Sequence, residues 1–467
     1  MFLFAQNCDC ETNYEWVKKT IEENDAGFQY VLQTKGEQAY EEHCERILIK
    51  VKNANTLNEC IPVLQEWLAL IRSGHIGIIP NEKKMQSNSA KSVKQLSDWE
   101  TYAIETNDFK NYLDTRKISD YEGIWWTEPY KIGIIKEGNE YIGFIIESGV
   151  ETWLKGEVKL KFTITDHGIN SVFYMRDRSA LQSENVTMIG KNYMEIGDFN
   201  LSRLYPEFEE ESQYAQYIRS QNADLPYLER LNETTLYLRI PSFASNYKTK
   251  IDSVLNVNHE IILTTKNLII DIRDNGGGSN AFYSAIIPYL YTNPIRTVGV
   301  EFLSTKLNNQ IMLDFFNKKE HGFDKKRKKW AREVYEKLES QLGMFVNIHD
   351  EPVSEYKMDT VYPFPQNIGI IINQFNGSTS EQFLLASKQS KKVKLFGVST
   401  AGVLDITNMY FLDSPCDDFQ LGYSISKSLR IPYFTIDDKG IQPDFYLDKS
   451  IPKYEWTEYV NKVLNQQ

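Results

Sequence analysis

Asn267-Leu-Ile-Ile-Asp-Ile-Arg-Asp-Asn-Gly-Gly-Gly278 is an apolar run that ends in three consecutive glycines, and the architecture follows from how it is taken. Leu268 to Ile272 has the composition of a buried strand. Beyond Arg273-Asp274-Asn275, residues without Cβ let backbone N–H groups approach a ligand carbonyl or take positive φ. An ordinary tight turn would use the same letters, because glycine clusters punctuate loops. The stretch therefore needs a partner elsewhere in the chain.

That partner is Asn367-Ile-Gly-Ile-Ile-Ile-Asn373, a second buried strand, followed by Gln374-Phe-Asn-Gly-Ser-Thr-Ser-Glu-Gln-Phe383. Ser378 with Glu381 three residues later matches a helix capping box. It also matches a nucleophile exposed on a tight turn, where the positive helix end favours a developing oxyanion. Strand patterns at 235–240, 267–272, 367–373 and 393–397 alternate with helical ones, which predicts an α/β core. Such sheets bind ligands beyond the carboxyl ends of their strands, where Gly276 to Gly278 and Gly377-Ser378 fall.

Working outward, residues 1–80 read as an N-terminal helical region, 98–230 as a β-rich insert and 231–467 as the core. Residues 81–97 are polar, the composition of a linker. Alternating apolar patterns at 130–135, 141–146, 157–162 and 171–175 predict an antiparallel sheet or small barrel. Trp125, Trp126 and Trp153 there read as core more readily than as a ligand surface. The insertion from 303 to 362, with its charged helix, is expected to cover the site as a lid or wall.

A length of 467 residues suggests two or three domains, and 41% hydrophobic with 13% aromatic residues supports packed cores. A net charge of -12 argues against a nucleic-acid partner. The basic run Lys325-Lys-Arg-Lys-Lys-Trp330 continues into an acidic helical stretch and reads as a solvated helix face. No apolar stretch is long enough to span a bilayer. Met1-Phe-Leu-Phe-Ala5 before a polar start reads as the end of a signal peptide. Of five cysteines, Cys44 and Cys60 on consecutive predicted helices are the expected disulfide pair, and Cys8-x-Cys10 is too sparse for zinc.

Together the motifs resemble the C-terminal processing peptidases, whose relatives include the tricorn core and the chlamydial protease-like activity factor. The resemblance rests on Asp-x-Arg-x-Asn-x-Gly-Gly at Asp271 to Gly278, Ser-x-x-Glu at Ser378 to Glu381, and Gly-x-x-Thr-x-Gly at Gly397 to Gly402. It is completed by Gly-Ile-x-Pro-Asp at Gly440 to Asp444 and by Leu236 to Phe243, which looks like the first core strand. It implies a crotonase/ClpP-like α/β core, a serine peptidase acting on peptide or protein substrates, and no cofactor or metal. Members of the Ser/Lys type carry their base lysine directly after Gly-x-x-Thr-x-Gly, where this chain has Val403. The tricorn-like branch instead uses an upstream histidine and an acid before Gly-x-x-Pro-Asp. His75 and Asp437 stand at those places, with Asp438 as an alternative acid.

Of six histidines, His43, His167, His259, His321 and His349 lie in charged or polar surroundings, and His75 alone joins a helix to an apolar strand. The implied chemistry is attack by Ser378, proton transfer through His75 and orientation by Asp437. Oxyanion donors would be the N–H of Thr379 and that of Gly277 or Gly278. The missing lysine leaves a second reading, an inactive relative that binds peptides or glycans through its β-rich insert.

Overall fold

The computed structural model describes residues 8–81, 99–116, 119–165, 168–176, 178–349 and 351–466. The expected polar linker, the expected signal-peptide end and His167 lie outside them. The described residues divide into two compact units. One draws on Met1–Lys91, Asp224–Ile451 and Trp456–Gln467, the other on Ser92–Ala223 and Pro452–Glu455.

In the first unit a six-stranded sheet runs in the order Tyr227–Asn232, Thr235–Arg239, Asn267–Asp271, Asn367–Ile372, Val393–Gly397 and Phe445–Tyr446. The first pair is antiparallel and the rest are parallel. Alternate residues serve two cores. Leu236, Leu268, Ile270, Ile368, Ile370 and Leu395 face one, while Tyr237, Ile269, Ile371 and Phe396 meet the C-terminal helix Trp456–Asn465 through Val460 and Leu464. Burial on both faces explains why these strands read as unbroken apolar runs.

The N-terminal helices Cys10–Asn24, Phe28–Lys35, Glu37–Asn53 and Leu57–Ile71 do not stand apart. Their apolar faces share one core with Phe302, Met312, Val334, Leu338 and the strand Phe419–Ser428. The helices Lys306–Asn317 and Lys325–Glu339 of the 303–362 insertion thus contribute Met312, Val334 and Leu338 to the same core as the N-terminal helices. After Ile71 the chain turns at His75 and enters Gly77–Pro80, which pairs antiparallel with Phe419–Ser428.

Cysteine pairing differs from the expectation. Cys8 joins Cys416 and Cys10 joins Cys60, while Cys44 is free. Cys44 receives the Trp67 indole N–H at 3.4 Å instead, because the first helix rather than the third presents its cysteine to Cys60.

The second unit is an antiparallel sheet of nine strands, from Ala180–Ser183 through the central Tyr130–Glu137 and Gly123–Thr127 to Val186–Ile189. Its end strands are consecutive in the chain, and the sheet is barrel-like. Trp125 and Trp153 are in its core, whereas Trp126 is exposed. Buried Lys159 lies 3.9 Å from the centre of the Trp153 ring and 4.1 Å from that of Tyr130, so these aromatics face a cation of their own chain. Among the described residues no helix is long and apolar enough to cross a membrane.

Candidate active site

Ser378 sits where the strand Asn367–Ile372 turns into the helix Thr379–Ser387. Its backbone is at φ 55°, ψ -119°, a conformation that a non-glycine residue keeps only when its surroundings hold it. The Glu381 carboxylate accepts the Ser378 N–H at 3.2 Å and also takes Thr400 Oγ1, Gly402 N–H (2.7 Å) and Val403 N–H (2.9 Å). Burial raises the pKa of Glu381, and these four donors oppose that rise. The capping residue thus ties the Ser378 turn to the segment 400–403.

The glycine loop is locked from below. Asn275 Oδ1 accepts Phe243 N–H (3.1 Å), Gly277 N–H (3.1 Å) and Ser380 Oγ (3.0 Å). Asn376 donates to Asn275 O at 3.2 Å, and its own carbonyl accepts Ala401 N–H at 2.8 Å. Under the loop, Asp271 is held by Arg273 at 2.6 Å and by the Tyr237 hydroxyl at 2.6 Å. Burial would raise its pKa, yet Arg273 and Arg239 keep it well below the usual carboxylate range.

The structure brings His75 to Ser378. Oγ lies 3.1 Å from Nε2, although the two residues are 303 positions apart. His75 Nδ1 is 2.8 Å from the Ile406 carbonyl oxygen. A carbonyl can only accept, so the proton resides on Nδ1 and the Nε2 lone pair faces the hydroxyl. Burial lowers the His75 pKa below its ordinary value and the Arg72 charge adds to this, while the bond to Ile406 works against it.

Asp437 does not take the place expected of it. Its carboxylate accepts the N–H groups of Leu404 (2.6 Å), Asp405 (2.6 Å) and Ile406 (3.1 Å), so it braces the residue whose carbonyl meets His75. The reason is geometric: the strand Ile406–Asp413 lays its first carbonyl against Nδ1, and Asp437 binds the N–H side of that segment. Burial and the neighbouring Asp405 push the Asp437 pKa up to about 6. Asp405 itself is paired with Arg430 at 2.9 Å. Asp438 is exposed, and its N–H donates to Gly402 O at 3.0 Å.

Of the expected oxyanion donors, Gly277 is committed to Asn275. A Cβ on Gly277, at φ 107°, would lie 2.9 Å from Thr379 N, so only glycine lets the loop approach the Ser378 turn this closely. Thr379 is the first residue of its helix, and such N–H groups have no intrahelical acceptor. Val403 fills the position of the absent lysine. A Cβ on Gly74 would fall 2.3 Å from its Cγ1 and one on Gly377 2.7 Å from its Cγ2, so its side chain is wedged between the His75 loop and the Ser378 turn.

Two of the other described histidines are engaged elsewhere. His43 is buried in its helix, with Nε2 3.2 Å from Trp67 O, and His259 Nδ1 is 2.8 Å from the Tyr289 hydroxyl. Sequence reasoning missed the Ile406 carbonyl, because a backbone acceptor has no residue type. It also missed Asn275 and Asn376, although their places beside the glycine and serine turns were a usable signal.

An α/β core packed on both faces of its sheet, presenting a strained serine beside a histidine and a glycine loop, defines the class: a serine-type peptidase, a hydrolase of protein substrates. Residues 234–447 match the model of peptidase family S41, which supports the resemblance of that part of the chain to the C-terminal processing peptidases. Among solved structures it is similar to mature CPAF complexed with lactacystin, at 13% identity and TM-score 0.53, with 98% of each chain covered. It is also similar to the photosystem II D1 C-terminal processing protease, at 10% identity and TM-score 0.40, with 98% of each chain covered. At 13% identity the likeness to mature CPAF speaks for the fold alone. No curated protein matches the chain.

Proposed function

We propose that the chain is an endopeptidase of the His-dependent kind, in which Ser378 is the nucleophile and His75 the general base. The observation that carries this reading is the 3.1 Å contact between Nε2 and Oγ, with the Nδ1 proton pinned by Ile406. As Ser378 Oγ attacks the scissile carbonyl carbon, its proton passes to Nε2. The tetrahedral oxyanion is met by the N–H groups of Thr379 and Gly278. His75 then protonates the leaving amine, and water enters by the same route to release the acyl group from Ser378.

The Ile406 carbonyl dipole and the Asp437 carboxylate that holds the Ile406 N–H together take the orienting part that a carboxylate plays in a Ser-His-Asp triad. Neutral His75 beside Ser378 supplies the proton acceptor that Val403 cannot, so the inactive, peptide- or glycan-binding reading loses its motive. The bonds Cys8–Cys416 and Cys10–Cys60 favour an oxidising, extracytoplasmic compartment, periplasmic or secreted.

A fluorophosphonate probe tests the reading. The expected result is labelling at Ser378 that Ser378→Ala abolishes, with loss of casein cleavage and an unchanged unfolding midpoint. Equal casein cleavage by wild type and Ser378→Ala would remove Ser378 as nucleophile.

A further inference from the structure

His75 is the second strained residue of the site, at φ 53°. One side chain encloses its backbone. Arg72 closes the helix Leu57–Ile71 and is buried; its Nε donates to Gly74 O at 2.9 Å and its Nη2 to His75 O at 3.0 Å. The other edge of the guanidinium meets Asp25 in a two-point ion pair, Nη1 to Oδ1 at 2.6 Å and Nη2 to Oδ2 at 2.5 Å. Asp25 is itself anchored, since its carboxylate accepts Gly27 N–H at 2.9 Å and Ser424 N–H at 3.2 Å. Ser424 completes the enclosure by donating its hydroxyl to the same His75 carbonyl at 3.0 Å.

We propose that Arg72, held by Asp25, is a positioning residue for catalysis: its planar fork fixes the main chain of His75 so that the imidazole meets Ser378. The inference rests on His75 being the general base. Two features separate this from ordinary cohesion. A buried ion pair is weak support for stability, because apolar residues of the same volume often serve as well. Here, however, Nε and the second N–H of Nη2 fall on the loop that carries the imidazole. The geometry also needs arginine, since a lysine ammonium is a point donor and cannot span a carboxylate and two successive carbonyls in one plane.

The interaction acts on His75 through its carbonyl, on the side away from the ring. The ring is held separately, at Nδ1 by Ile406. Main chain and ring are thus fixed from two directions, with Val403 packed against Gly74 in between. Loss of the fork frees the loop to rotate, while the substrate-binding surfaces around Thr379 and the glycines stay in place. The expected signature is a fall in the chemical step with binding unchanged.

The experiment measures the fluorophosphonate reaction at Ser378, separating kinact from KI, on the full chain. Three variants are compared: Asp25→Asn with Arg72→Gln, which removes both buried charges together; Arg72→Lys; and Ser424→Ala, which leaves the ion pair intact. Thermal unfolding is followed in parallel, and rates are read on the variants that unfold cooperatively. The expected result is a fall in kinact of about 10²-fold for the two Arg72 variants, with KI unchanged, since a misplacement of about 1 Å costs that much. A smaller fall is expected for Ser424→Ala. Folded variants that react at the wild-type kinact overturn the inference, and a wild-type kinact in Ser424→Ala does so even if both Arg72 variants fail to fold. His75→Ala distinguishes the two levels. If it reacts like wild type, the general-base reading itself falls. If it is inert while the Arg72 variants react normally, only the positioning inference falls.

Discussion

The Ser378 turn and the His75 loop solve the same problem in opposite ways. Both hold a non-glycine residue at positive φ, 55° and 53°. The Ser378 turn is built mostly from its own neighbourhood, with Glu381 three residues ahead and Asn376 two behind, and with Asn275 of the adjoining strand end below. The His75 loop is built from afar, with Asp25, Ile406 and Ser424 converging on five residues of chain. A nucleophile turn can therefore be carried by a motif, whereas a base that must approach it from another layer depends on the packing of the whole unit.

The most forceful test of this contrast is to remove the base. His75→Ala should lower kcat on the order of 10⁶-fold, as much as Ser378→Ala, because the two act as one unit. The double variant should be no slower than either single one. Measurement of kcat on casein decides this, and near-normal turnover by His75→Ala would leave the loop as scaffold only.

A smaller effect probes the role of Ile406. Asp437→Asn should lower kcat by about 10- to 100-fold, the worth of hydrogen bonds to a charged group. It should also change the acid limb of kcat/KM. The His75 pKa lies below its ordinary 6.5, so activity is full above that range and falls as pH drops through it. Asp437 gains its proton near about 6, so in the wild type two protonations steepen the fall. The variant should lose activity with a slope of one proton, and a wild-type limb centred above 6.5 would contradict a buried, neutral His75.

The smallest effect on chemistry is expected at the disulfide between the first and fourth helices. Cys10→Ser with Cys60→Ser should leave kcat at ambient temperature unchanged while lowering stability by about 2 to 4 kcal/mol, measured by denaturant unfolding. A large loss of kcat in a folded variant would mean that the N-terminal helices set the His75 loop more directly than Arg72 does.

Much of this is legible in the residues themselves. The core strands are readable because both faces are buried, and the Ser378 turn because Gly377, Ser378 and Glu381 interact within one helical turn. His75 is reached only through motif order and the absence of lysine at Val403. Asp437 falls in the right neighbourhood but on another partner than expected, since residue type does not say whether its carboxylate meets an imidazole or three peptide N–H groups. The pairing of Cys60 with Cys10 rather than Cys44 escapes the sequence for a related reason: helix order does not reveal which faces meet.

The α/β core, the glycine loop and the turn that carries Ser378 follow from residue order alone, because short-range periodicity and turn chemistry are properties of residue type. Which atom orients His75 is settled only by tertiary packing. That atom is the carbonyl oxygen of Ile406, a group every residue carries, and it takes the register of a strand and the packing of an N-terminal loop against it to bring it to 2.8 Å from Nδ1.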